Sequence, residues 1–131
     1  MRLLFVGSNP SPKNTDPKVP FLGTRSAETL GRWTGELGFD TFTIVNASDK
    51  VTVKSSEVKT KDLNLERLKS MAHLFDAFIA LGTVASKALT LAGIEHHSLP
   101  HPSGRNRLLN DKTFIAKKLA GIKSAIKKKR G

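Results

Sequence analysis

Two short stretches far apart in the sequence concentrate residues able to do chemistry. GSNPSP at 7–12 sets Asn9 between a glycine and two prolines. Prolines fix φ and remove backbone donors, so such a loop is stiff and holds Asn9 in a defined position. It is not a phosphate-binding P-loop, because the GK[ST] ending is absent. LPHPSGRNR at 99–107 packs two prolines, a histidine, a serine, a glycine and two arginines into nine residues. Taken alone, each stretch can be an ordinary turn or the rim of an active site.

Composition narrows the chemistry. The chain holds 131 residues, 38% hydrophobic and 25% charged, which suits one soluble domain over residues 1–131 with a single core. No apolar run reaches the roughly 18 residues of a membrane span. The start, MRLLFVGSNP, lacks the length and cleavage site of a secretion signal and reads as a first strand. There is no cysteine, which excludes disulfides, Cys-based zinc sites and iron–sulfur clusters and fits a reducing, cytoplasmic compartment. With 22 Lys+Arg against 11 Asp+Glu the net charge is +11, pointing to a polyanionic partner, nucleic acid before an anionic membrane.

The elements that must carry the two stretches alternate between strand and helix. Leu3 to Val6, closed by Gly7, is a short apolar run of the kind found in buried parallel strands. Ser26 can cap a helix whose apolar residues Leu30, Trp33 and Leu37 share one face, with Gly38 stopping it. Thr41 to Val45 is a second strand. The polar stretch at 47–62 reads as an exposed loop with room for a short hairpin. Leu65, Leu68, Ala72 and Phe75 mark another helix, Ala77 to Leu81 a third strand, Thr83 to Leu91 a helix, and Ile94 to Leu99 a fourth strand. Asp111 then caps a last helix carrying Phe114, Ile115, Leu119, Ile122 and Ile126 and ending in a cationic tail. This alternation predicts an α/β fold, a mostly parallel sheet with helices on both faces. Ligands of such sheets bind at the carboxyl ends of the strands, where both peculiar loops fall.

Together, GSNPSP and HPSGRNR resemble the two signature motifs of the uracil-DNA glycosylase superfamily. The pattern is most similar to the single-strand-selective monofunctional branch, whose motifs read GMNPGP and HPSPRN, and PSG is also similar to the mismatch-specific branch. VPFLG at 19–23 looks like the segment that supplies a stacking aromatic, and IVN at 44–46 like the strand ending in a base-reading Asn. FIALGTVASKAL at 78–89 is similar to the family's strand–Gly–helix segment. The resemblance runs from about residue 3 to 127 and implies a three-layer αβα fold around four strands in the order 2-1-3-4.

It also implies an activity: hydrolysis of the N-glycosidic bond of uracil, or a modified uracil, in single- or double-stranded DNA, leaving an abasic site. The base must leave the stack to be reached. By the resemblance, Asn9 holds the attacking water and His101 donates a hydrogen bond to the base oxygen where negative charge collects. Asn46 would read the base, its amide offering a donor and an acceptor to the N3–H and O4 edge of uracil, the reverse of what cytosine presents. Phe21 would stack on the flipped base. Arg105 would push into the vacated duplex or contact a phosphate, with Ser11, Lys13, Ser103 and Arg107 as further DNA contacts. No metal or organic cofactor is called for, no membrane partner is expected, and the chain is expected to act as a monomer. His96 and His97 match no family residue and read as strand or surface side chains.

Lys13 departs from the pattern, standing where the single-strand-selective branch has an apolar or aromatic residue. Two other functions fit the same residues: a non-catalytic DNA- or partner-binding module on this scaffold, and an enzyme acting on a free nucleoside or nucleotide.

Overall fold

The computed structural model describes residues 2–8, 24–50, 58–100 and 112–130, with side chains from 27 in the second segment and to 128 in the last. Four strands, β1 (Leu3–Gly7), β2 (Thr43–Asn46), β3 (Ala77–Leu81) and β4 (His97–Leu99), form one sheet in the order β2-β1-β3-β4. All three pairings are parallel, with Phe5 opposite both Ile44 and Ile79, and Ile79 opposite His97. Helices α1 (Thr24–Glu36), α2 (Leu65–Met71), α3 (Thr83–Leu91) and α4 (Lys112–Arg130) connect or follow the strands.

Side-chain alternation along the strands builds two cores. Leu3, Phe5, Ala77, Ile79, Leu81 and Leu99 face one way and pack with Leu30 and Trp33 of α1, Leu37 just after it, and Leu119, Ile122 and Ile126 of α4. Leu4, Val6, Phe78 and Ala80 face the other way, against Leu68 of α2 and Ala85, Ala88 and Leu89 of α3. Because β1 and β3 are buried on both faces, both read as unbroken apolar runs in the sequence. The result is the three-layer αβα arrangement with the expected strand order. No helix among the described residues is long and apolar enough to cross a membrane.

Element ends differ from expectation for local reasons. Helix α1 begins at Thr24, so Ser26 lies inside its first turn instead of capping it; nothing in Thr24–Arg25 opposes helical backbone. Strand β2 starts at Thr43, two residues late, and Phe42 just before it turns edge-on to Phe5, ring centroids 5.4 Å apart. Helix α2 stops at Met71, and the Leu74 N–H closes a turn onto the Met71 carbonyl, which leaves Ala72 and Phe75 outside the helix. Strand β4 is only three residues long, because Ile94 donates its N–H to the Leu89 carbonyl at the end of α3 and its own carbonyl engages the His96 ring. The loop at 47–62 is tied at its base by one antiparallel bridge, Ser48 to Leu63, and ends in a single 3₁₀ turn at Thr60–Asp62. Its centre, 51–57, and the Asp111 cap lie outside the described residues.

Candidate functional site

Parallel strands deliver all their carboxyl ends to one edge of the sheet, and that edge carries the stems of both sequence motifs. Motif one starts at Gly7, the last residue of β1, and motif two leaves from Leu99, the last residue of β4. One strand separates β1 from β4, which sets the two stems roughly 10 Å apart. The stem of β4 is held by Gly82, whose N–H donates to the Leu99 carbonyl at 3.1 Å. Gly82 sits at φ 93°, ψ 179°, a backbone conformation open essentially to glycine alone, and there the chain turns out of β3 into α3.

Asn46 closes β2 directly opposite Gly7, on the α1 side of the sheet by the same alternation that places Ile44 there. It is only 9% exposed. A Cβ on Gly7 would lie 3.0 Å from Asn46 Oδ1, so the bare glycine is what lets the amide lie across the end of β1. The strand pairing continues past the strands proper: Ala47 N–H donates to the Gly7 carbonyl at 2.8 Å and Ser48 N–H to the Ser8 carbonyl at 2.9 Å. Asn46 is thus clamped by backbone on both sides.

A second support comes from α2. Asn64 caps that helix, its Oδ1 accepting the Arg67 N–H at 3.1 Å, and its own N–H donates to the Ala47 carbonyl at 2.7 Å. The cap aims Arg67 back at the end of β2. Its guanidinium grips both Asp49 carboxylate oxygens, at 3.0 and 2.5 Å, and Nη1 also donates to the Asn46 carbonyl at 3.4 Å. Farther out, Asp62 accepts the Lys59 N–H at 2.8 Å and pairs with Lys50 Nζ at 3.2 Å. The Lys59 N–H first, and the Lys50 ammonium after it, hold the Asp62 carboxyl below the usual carboxylate range.

Beside β4, ahead of the carboxyl edge, lies a hydroxyl–imidazole relay that spacing alone could not reveal. His96 Nδ1 lies 2.9 Å from the Ile94 carbonyl, which only accepts, so Nδ1 carries the proton. Nε2 of the same ring pairs with Ser86 Oγ at 2.9 Å, and Ser98 Oγ donates to Ser86 Oγ at 3.4 Å. The relay ties α3 to β4. His97 sits in β4 itself, half-buried. Neither Arg67 nor Ser86 stood out in the sequence: their partners are 18 and 10 residues away, with no motif linking them.

Of the residues singled out from sequence, Asn46 is the one the structure describes. Asn9, Ser11, Lys13, Phe21, His101, Ser103, Arg105 and Arg107 lie outside the described residues. Among the described residues no three His, Asp or Glu side chains come together as metal ligands. Two grooves open elsewhere. One of about 300 Å³ lies between α1 and α4 beside Trp33 and Ile115; a wider one of about 980 Å³ sits at the amino ends of β3 and β4 beside Phe75, Phe78 and Ile126. Neither touches the carboxyl edge. Compared with protein-family models and with curated protein sequences, the chain matches none.

Proposed function

We propose that the protein is a monofunctional uracil-DNA glycosylase-type hydrolase acting on DNA in the cytoplasm. One observation carries this reading. The two motif sequences that resemble the family's, GSNPSP and HPSGRNR, grow from parallel strands of a sheet ordered β2-β1-β3-β4, with Asn46 held across the end of the first.

The chemistry divides among few groups. Breaking the base–sugar bond builds positive charge on the sugar and negative charge on the departing pyrimidine. Asn9 positions the water that attacks the sugar carbon, and His101 stabilises the charge on the base oxygen. Asn46 complements the N3–H and O4 edge, with room for its amide left by Gly7 and its backbone carbonyl held by Arg67. Phe21 stacks on the flipped base, Arg105 fills the gap it leaves, and Ser11, Lys13, Ser103 and Arg107 hold the phosphates.

The test is a labelled oligonucleotide with one uracil, single-stranded and then opposite G and A, incubated with protein and treated with alkali. Cleavage at the uracil is expected, reduced about 10²–10³-fold in His101→Ala and lost in Asn9→Ala, with DNA binding retained in both. Intact DNA on all three substrates, with a gel shift still present, would overturn the catalytic reading in favour of a binding module on the same scaffold. Cleavage of free deoxyuridine without DNA would make it a nucleoside enzyme instead.

A further inference from the structure

The positive charge of this chain is unevenly placed. Helix α4 carries seven lysines and one arginine in residues 112–130 and no Asp or Glu, so eight positive charges sit on one element of a protein whose net charge is +11. Its apolar stripe is used up: Leu119, Ile122 and Ile126 are at most 8% exposed and belong to the core shared with α1. Its lysines up to Lys128 fall on the remaining surface. Lys117 and Lys128 are eleven residues apart, three helical turns, and so share a face; Lys112 and Lys123 repeat the spacing on a second row about 140° round the helix. All four are exposed.

Among the described side chains, no ion pair accounts for them. The three ion pairs among the described residues, Lys50–Asp62, Arg67–Asp49 and Lys69–Glu66, all lie on or beside α2, and none involves α4. Cations suit the last turn of a helix, where carbonyls gather negative charge, so Lys127 and Lys128 would have a reason to be there. Lys112 is at the opposite, positive end, in a first turn that holds no acidic residue, where the helix dipole disfavours a cation. Lys123 and Lys127, one turn apart, repel. An external polyanion removes each of these penalties at once.

We infer that the exposed flank of α4 is a sequence-independent track for the phosphate backbone of nucleic acid. The helix follows the motif-two segment after β4 and, at 1.5 Å per residue, runs about 28 Å, the length of roughly eight base pairs of stacked duplex. A lipid surface fits less well, because interfacial helices bind through their apolar face and that face of α4 is buried. The inference shares the nucleic-acid partner of the glycosylase reading but needs no base excision.

The experiment uses fluorescence anisotropy with a labelled duplex containing no uracil, so its outcome is independent of glycosylase activity. The full-length protein is compared with Lys117→Gln/Lys123→Gln/Lys128→Gln and with Lys61→Gln/Lys69→Gln/Lys87→Gln, which removes the same charge from exposed lysines on the α2–α3 side. Each phosphate contact contributes about 0.9 to the slope of log affinity against log salt, so the α4 variant should be shallower by about 2.7 across about 50–200 mM salt. The α2–α3 variant should change it by less than one contact's worth. Equal losses in both would reduce the effect to net charge and overturn the inference, as would an unchanged slope in the α4 variant. Tighter α4-dependent binding to phosphatidylserine vesicles than to duplex would also overturn it. Lys117→Arg/Lys123→Arg/Lys128→Arg keeps the charge and must keep the slope, which separates charge from any fault in folding.

Discussion

The contact between Gly7 and Asn46 makes a quantitative claim that stability measurements can decide. Gly7 has no positive φ, so its backbone accepts alanine. Replacing Gly by Ala at such a site stabilises a protein by about 0.4–1 kcal/mol, mainly by restricting the unfolded chain. The new methyl group, however, would stand 3.0 Å from Asn46 Oδ1, while its other neighbour, the Val45 carbonyl, is at a comfortable 3.8 Å. Backbone clamps on both sides of Asn46 leave relief chiefly to its side chain, and forcing it off its rotamer costs about 0.5–1.5 kcal/mol. The two effects nearly cancel, so Gly7→Ala alone should change stability little. In an Asn46→Ala background the clash is gone, and the same substitution should stabilise by about 0.4–1 kcal/mol. Urea unfolding of the four proteins of this cycle yields the coupling directly, expected near 1 kcal/mol, well above the roughly 0.3–0.5 kcal/mol scatter of independent sites. A coupling within that scatter would refute the claim that glycine is there to make room for the amide.

Two further outcomes follow from the supports around this edge. Gly82→Ala forces a Cβ onto φ 93°, ψ 179° and should lower the urea midpoint by the equivalent of about 1–3 kcal/mol, and an unshifted midpoint would mean the turn into α3 relaxes freely. The Asp49–Arg67 pair, whose side chains are 41% and 29% exposed, should show a coupling of no more than about 1 kcal/mol in a double-mutant cycle despite its two-pronged geometry; a coupling of several kcal/mol would show that water does not screen it.

Legibility in the sequence tracked how local each determinant is. Strand β3 was readable to the residue, because AFIAL is an unbroken apolar run between Asp76 and Gly82 and is buried on both faces. Helix α3 was readable for the same kind of reason, with Gly82 before it and its buried residues spaced one turn apart. Strand β4 was overextended at its start: Ile94 is apolar and largely buried, but its backbone is spent on the end of α3, which composition does not record. At the site, Asn46 could be picked out only through the resemblance of IVN to the family's base-reading strand, since the strand pattern itself ended at Val45. The groups that fix it could not, since a missing Cβ at Gly7 and a guanidinium from α2 act through tertiary contacts 39 and 21 residues away in sequence.

The strand order also dictates how the chain must assemble. β1 lies inside the sheet, yet both its neighbours come later: Leu4 pairs with Thr43, and Leu3 with Ala77, 74 residues downstream. The most apolar strand near the amino end therefore has no partner until a long stretch of chain has been made and brought back to it. Closing loops of that length comes before any ladder bond can reward it, which puts folding in the slower range of small domains. Until β3 arrives, Leu3 to Val6 is an open template for pairing with another nascent chain, so the parallel order that gathers the motif stems at one edge also leaves a window for aggregation during synthesis.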